Sequence, residues 1–223
     1  MTRWGMVIDM DRCIACQACT VACMAENNVP FVGDERVEEG RLMQWQRVLS
    51  RVDGEFPHVT AKFIPRPCMH CENPPCVQVC PVGATFKRED GLVLVDYDRC
   101  IGCRYCMVAC PYGVRTFNWF APGFASSHRN YLNPDVRVRP RGVVEKCTFC
   151  VQRIDRAAKE GEKVGGLDGV VTACTQTCPA EAIHFGDLDD PESEVSALAR
   201  SKRAFRFLEE MGTRPQVYYL QEG

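Results

Sequence analysis

Apolar and polar positions alternate over Trp4–Asp9, the period of a strand with one face toward a core, and the run leads directly into a cysteine-rich stretch. Ala15–Asn28 then predicts a short helix carrying Cys23, with Pro30 just past its end. Two β-like runs, Met43–Val52 and His58–Ile64, flank Asp53-Gly54, a dipeptide suited to a hairpin turn. Gly91–Val95 (GLVLV) reads as a buried strand feeding a later cysteine group. Thr148–Lys159 predicts a helix and Gly161–Gly169 a glycine-rich surface loop. After Pro191, the positions Val195, Leu198, Ala199, Phe205, Leu208 and Met211 form an apolar stripe at helical spacing, closed by Gly212, and Gln216–Leu220 follows as an extended tail.

Charge adds an exclusion. The 223 residues hold 27 Lys+Arg against 29 Asp+Glu, a net charge of −2, which is not the polybasic footprint of a general nucleic-acid binder. No apolar run approaches the roughly 18 residues of a membrane span; the best candidate, Tyr112 to Phe124, is interrupted by Arg115 and Asn118. At the N-terminus, Asp9, Asp11 and Cys13 arrive before a secretory h-region could form. The 16 cysteines change the picture most.

They fall into four groups: Cys13, Cys16, Cys19, Cys23; Cys68, Cys71, Cys76, Cys80; Cys100, Cys103, Cys106, Cys110; and Cys147, Cys150, Cys174, Cys178. Disulfide frameworks spread cysteines so that distant strands are stapled, whereas CxxCxxC converges three sulfurs on one point. A zinc ribbon needs two CxxC pairs and gives the third Cys of groups one and three no purpose. The run C-x2-C-x2-C-x3-C-P is the bacterial [4Fe–4S] arrangement, in which three cysteines hold one cluster and the fourth ligates the other. Cys80-Pro81, Cys110-Pro111 and Cys178-Pro179 complete that pattern; Cys23 is followed instead by Met24. Thiolates are the soft ligands that select iron–sulfur clusters, and the crossing fourth ligand couples cluster binding to folding.

DMDRCIACQACTVAC, PCMHCENPPCVQVCPVGA, DRCIGCRYCMVACPYGVR and EKCTFC…ACTQTCPAEAI resemble the four-cluster ferredoxin-type subunit of molybdopterin oxidoreductases, a group that includes polysulfide, tetrathionate, dimethyl sulfoxide and nitrate reductases. The resemblance spans roughly Trp4 to Leu220. NPDVRVRPRGVVEKCTFCVQRI and GTRPQVYYL also resemble the cluster-bearing part of the alternative complex III iron–sulfur subunit, without that protein's large additional domain. CIGCRYC departs from the relatives that lack Cys at the place of Cys103 and carry a three-iron cluster there.

The resemblance implies an α+β fold of two tandem, pseudo-symmetric bacterial-ferredoxin-like modules with loop insertions. Residues 1–30 plus 141–192 would form one module and 65–115 the other. A β-hairpin insertion (31–64), an Arg-rich insertion (116–140) and a C-terminal helix with a docking tail (193–223) complete the chain. It also implies the ligand sets: Cys13, Cys16, Cys19, Cys178 for cluster 1; Cys23, Cys147, Cys150, Cys174 for cluster 2; Cys68, Cys71, Cys76, Cys110 for cluster 3; and Cys80, Cys100, Cys103, Cys106 for cluster 4. The function implied is an electron-transfer subunit without a catalytic site. It would relay electrons through four [4Fe–4S] clusters between a large molybdopterin-binding catalytic subunit and a polytopic quinone-interacting membrane subunit. The alternatives are an iron–sulfur subunit of a quinone-linked complex of the alternative complex III type and a free polyferredoxin. Localisation follows as a peripheral membrane complex, with export alongside a signal-bearing partner slightly favoured over a cytoplasmic home.

The remaining residues read more plainly. His70 sits between cluster ligands, but four cysteines already saturate the site, so local hydrogen bonding is expected of it. His58, His128 and His184 read as surface or packing residues. Arg12, Arg99, Arg104 and Lys146 flank ligands, where a positive charge favours the reduced cluster, although solvated charges are as consistent with the sequence. Trp45, Tyr105, Trp119 and Phe149 are expected to pack, and the Arg-rich 111–146 segment to offer a docking surface. No nucleophile, acid–base dyad, phosphate-cradling loop or dinucleotide fingerprint is present.

Overall fold

The computed structural model describes residues 2–166 and 168–222; Met1, Leu167 (inside the expected glycine-rich loop) and Gly223 lie outside the described residues. Strand β1 (Trp4–Asp9) runs into the first cysteine loop and helix α1 (Ala18–Glu26), followed by the short helix α2 (Asp34–Glu38). Strands β2 (Arg47–Glu55) and β3 (His58–Arg66) form a long hairpin. Helix α3 (Pro75–Gln78), the small hairpin β4 (Thr85–Lys87) and β5 (Val93–Val95), and helix α4 (Tyr105–Val108) carry the second and third groups. Strand β6 (Thr116–Phe117) pairs with β7 (Val144–Glu145) just before Cys147. Helices α5 (Val151–Glu160) and α6 (Ala173–Gln176), strand β8 (Ile183–Asp187), helix α7 (Glu194–Ala199) and strands β9 (Ala204–Phe205) and β10 (Val217–Leu220) complete the chain.

The main sheet has the order β8-β1-β10-β9, with β1 antiparallel to β8 and parallel to β10. Side chains alternate across β1, so Met6 and Ile8 face the large core that holds most of the buried cysteines, while Val7 meets Leu188, Val195 and Leu220 beneath α7. Strand β10 repeats the division: Val217 and Tyr219 face the cysteine core and Leu220 the other side.

Three expectations are corrected here. The C-terminal stripe is not one helix over 193–211. Helix α7 stops at Ala199, and Ala204–Phe205 becomes an edge strand paired to Tyr219–Leu220. The free edge of β10 offers backbone partners there, and this tertiary pairing overrides the local helical period. The C-terminal segment is likewise not a docking tail: β10 is an inner strand whose Val217, Tyr219 and Leu220 are buried. In the β2–β3 hairpin the turn falls at Phe56-Pro57, three residues later than Asp53-Gly54, because Asp53 pairs with Thr60 and Gly54 with Val59. Gly54 is needed inside the strand, where φ is +91° and a Cβ would meet the His58 carbonyl oxygen.

Candidate metal centres

The short helices bring the cysteines together. Cys19 and Cys23 lie one turn apart on α1, which packs against α6 and its Cys174; α3 with Cys76 packs against α4 with Cys106. Within the CxxCxxC loops, Ala15 and Gln17 have φ values of +56° and +63°, and the matching Gly102 and Arg104 have +70° and +63°. Such left-handed residues between ligands wrap the loop around a concavity, with the amide geometry of an anion-binding nest. Gly102 is required there, since a Cβ would collide with the Gly142 carbonyl oxygen.

Four sets of four result. Cys13, Cys16, Cys19 and Cys178 line one cavity. Cys68, Cys71, Cys76 and Cys110 line a second, and Cys80, Cys100, Cys103 and Cys106 a third. The fourth set, Cys23, Cys147, Cys150 and Cys174, is buried throughout, and the charges of its thiols act on one another. Each set draws on two of the four sequence groups.

The donor chemistry of these cavities fits a cationic cluster. Burial, followed by the neighbouring thiols, pushes Cys23 and Cys174 well above the ordinary thiol range. Burial likewise takes Cys71 and Cys147 up to about 12. Such sulfurs become thiolates only when iron supplies the compensating charge. N–H donors are aimed at them as well. Phe149 N donates to Cys147 Sγ at 3.4 Å, Ala173 N to Cys150 Sγ at 3.4 Å and Ala182 N to Cys178 Sγ at 3.3 Å. At Cys80 burial raises the thiol, but the amides of Thr85, Val82 and Ala84 outweigh it and leave the thiol below its ordinary value.

The flanking candidates separate in the structure. Arg12 pairs with Glu181 and Arg99 with Asp96 near the surface, while Arg104 lies over Phe117 and Trp119. Lys146 is fully buried, its ammonium donating to the Val93 and Cys147 carbonyls. His70 serves in local hydrogen bonding: Val93 N donates to Nδ1 at 3.1 Å, and Nε2 donates to the Cys147 carbonyl at 3.1 Å. Burial, then the charge of Lys146, holds its imidazole well below the usual range and therefore neutral. His58 and His128 are exposed, and His184 sits 3.1 Å from Glu194. Trp45 and Phe149 pack in the core and Trp119 is half-buried against Phe117, but Tyr105 is 62% exposed, contrary to expectation.

The Arg-rich segment is also not uniformly a docking surface, because Arg115 and Arg139 are buried. Arg139 pairs with buried Glu145 at 3.0 Å, and Arg115 reaches the cysteine sites. Sequence reasoning missed the amides that contact sulfur: Asn27 Nδ2 lies 3.7 Å from Cys23 Sγ and 3.9 Å from Cys150 Sγ, and Gln46 Nε2 lies 3.9 Å from Cys19 Sγ. Asn27 stands one helical turn from Cys23, a spacing that could have pointed to it, whereas its reach to Cys150 and that of Gln46 to Cys19 carry no signal in the sequence.

Comparison with known proteins agrees with this chemistry. Models described as 4Fe-4S dicluster domain match residues 12–84, 59–125 and 99–183. The chain is 52% identical to the menaquinone reductase iron–sulfur cluster-binding subunit of Nitratidesulfovibrio vulgaris, covering 98% of this chain and 88% of that protein. It belongs to the iron–sulfur subunits of the molybdopterin oxidoreductase family. The Hdr-like menaquinol oxidoreductase iron–sulfur subunit 1 of Archaeoglobus fulgidus is 42% identical over 99% of this chain and 84% of its own length. The arsenate respiratory reductase iron–sulfur subunit of a Shewanella species is 36% identical over 98% of this chain and 96% of its own. The three tandem dicluster matches and 16 cysteines fit four [4Fe–4S] clusters. Among the described residues no helix is long and apolar enough to cross a membrane.

Proposed function

We propose that this chain relays electrons through four [4Fe–4S] clusters, each held by one of the four cysteine sets, between a molybdopterin-binding catalytic subunit and a quinone-interacting membrane subunit. The observation that carries the reading is the adjacency of the sets. Helix α1 with Cys19 of the first set packs on α6 with Cys174 of the second, His70 between Cys68 and Cys71 of the third hydrogen-bonds the Cys147 carbonyl of the second, and α3 with Cys76 of the third packs on α4 with Cys106 of the fourth. That makes a wire with two ends.

Both ends reach the surface within apolar rims. Cys16 is exposed beside Ile14 and Val21, and Cys103 is exposed beside Ile101, Tyr105 and Val108. Apolar side chains around an electron-exit cysteine suit burial against a partner. The first end is assigned to the catalytic subunit and the second to the membrane subunit. The names of two relatives, which include menaquinone and menaquinol, support a quinone-linked complex at the second end. Peripheral association with a membrane follows, and export with a partner is the favoured route to it. The ligand sets divide the chain into a module of 1–30 plus 141–192 and a module of 65–115, pseudo-symmetric in that each pairs two cysteine-bearing helices. The 31–64 hairpin and the 116–140 insertion extend them.

The clusters supply one-electron storage when bound; the chain's own residues position them, exclude water and donate N–H groups to the sulfurs. The test is Cys103→Ser in the intact complex. Wild type should contain about 16 iron, and the variant a three-iron EPR signal with loss of quinone-linked turnover. A wild-type complex short of iron, or a variant with four unaltered clusters, would overturn the assignment.

A further inference from the structure

Arg115 stands just before β6 and is only 5% exposed. Among the described residues its one oxygen partner is Thr85 Oγ1, 3.5 Å from Nη1, while Nη2 is buried without an oxygen or nitrogen partner. It lines the cavity of Cys68, Cys71, Cys76 and Cys110. Cys76 lies on α3 and Cys106 on α4, the two helices that pack together between the third and fourth cysteine sets. The guanidinium thus lies in the lining of the third set and, through Thr85, which lines the cavity of Cys80, Cys100, Cys103 and Cys106, against the fourth, and its charge acts on both Cys76 and Cys106.

A guanidinium stays charged at any working pH, and burying one without a counter-charge is costly. No carboxylate among the described residues pairs with it, so its partners are the thiolates on either side. The other half of the chain differs. Asn27 and Gln46, both neutral amides, contact Cys23, Cys150 and Cys19, and the cation nearest Cys150, Arg153, is paired with Glu26 at 2.6 Å, whose negative charge opposes it. Of the other buried cations among the described residues, Lys146 has its ammonium tied to two backbone carbonyls and Arg139 is paired with Glu145.

We propose that Arg115 sets the reduction potentials of the last two centres together: its fixed charge, placed between the Cys68/Cys71/Cys76/Cys110 and Cys80/Cys100/Cys103/Cys106 sets, raises both and leaves the first two centres unmoved. The inference rests on the relay reading above. One electron enters a centre from the donor, which is oxidised by one electron, and no bond forms or breaks. The added negative charge lies within reach of the guanidinium, so the reduced state gains more from it than the oxidised state. A buried charge acts through low dielectric and escapes most salt screening, so the effect persists at high ionic strength.

The experiment is an EPR-monitored redox titration with dithionite of the purified complex carrying Arg115→Gln or Arg115→Lys. Two of the four signals should fall in R115Q by at least tenfold in the reduction equilibrium, 59 mV for a one-electron couple. The signal altered by Cys103→Ser should be one of them, and R115K should hold both near wild type. Thr85→Asp gives a second route, since a carboxylate beside Nη1 neutralises the guanidinium without removing it, and the same two signals should fall. Full iron content with all four potentials unchanged in R115Q or T85D overturns the proposal, as does an equal fall of all four. If R115Q loses iron, T85D and R115K decide: an unmoved T85D, or a fully loaded R115K shifted as far as the neutralised variant, overturns it. A wild-type complex with fewer than four cluster signals refutes the relay reading instead, before any variant is compared.

Discussion

Replacing Arg139 with Met should loosen the packing of the end of α1 against the segment before Cys147 more than any surface substitution. The Arg139 and Glu145 side chains are 2% and 0% exposed and pair at 3.0 Å. Arg139 also donates to the Asn27 carbonyl at 2.6 Å and the Asn28 carbonyl at 3.0 Å, tying the end of α1 to the segment before Cys147. Glu145 accepts from Trp45 Nε1 at 3.1 Å and Asn118 Nδ2 at 3.2 Å. Arg139→Met leaves the Glu145 carboxylate buried without its cation, a loss of about 3–5 kcal/mol. At about 2–4 °C per kcal/mol for a chain of this size, the midpoint of thermal cluster bleaching should fall by roughly 6–20 °C. The readout is visible absorbance at a fixed scan rate, because cluster loss and unfolding are coupled. The double variant R139M/E145Q separates stranded charge from lost packing. Gln keeps an oxygen for Trp45 but carries no charge, so the double variant should recover at least about 0.5 kcal/mol relative to R139M. A double variant no more stable than R139M would refute the reasoning, as would an R139M midpoint within about 2 °C of wild type.

Two further outcomes follow from the same geometry. Burial raises the Glu26 carboxyl, but hydrogen bonds from Arg153 (2.6 Å) and Gln152 (2.8 Å) outweigh it and hold the group below 4.5. A depressed carboxylate contributes stability above its unfolded value and loses it as pH falls through the folded one; Glu26→Gln should therefore flatten the acid limb of the stability profile below about pH 4.5, and an unchanged limb would exclude Glu26 as its source. Truncation after Gln216 removes an inner strand, including Tyr219, whose hydroxyl donates to the Pro65 carbonyl at 2.9 Å. The truncated chain should be recovered without clusters and insoluble, and a soluble form with full iron would show that β10 is dispensable.

The cysteine spacing determined the chemistry by itself. Three ligands at C-x2-C-x2-C need only one local loop, and loop geometry is encoded in the residues that form it, as the left-handed Ala15, Gln17, Gly102 and Arg104 illustrate. Helix α5 was similarly legible, because its start after Cys150 and its stop at Gly161, with φ +72°, are local. The C-terminal region was not. Leu198 and Phe205 share a helical stripe in sequence, but the partners of Phe205 and Tyr219 are each other and a strand some 200 residues away, so the backbone pairing available at the edge of β10 overruled local preference. The same distinction governs the charges. Arg12, Arg99 and Arg115 look alike along the chain, the first two beside cluster ligands and the third in a segment read as a docking surface. Only the fold brings carboxylates to the first two at the surface and encloses the third between Cys76 and Cys106, since whether a charge can be buried depends on what distant groups the tertiary structure places beside it.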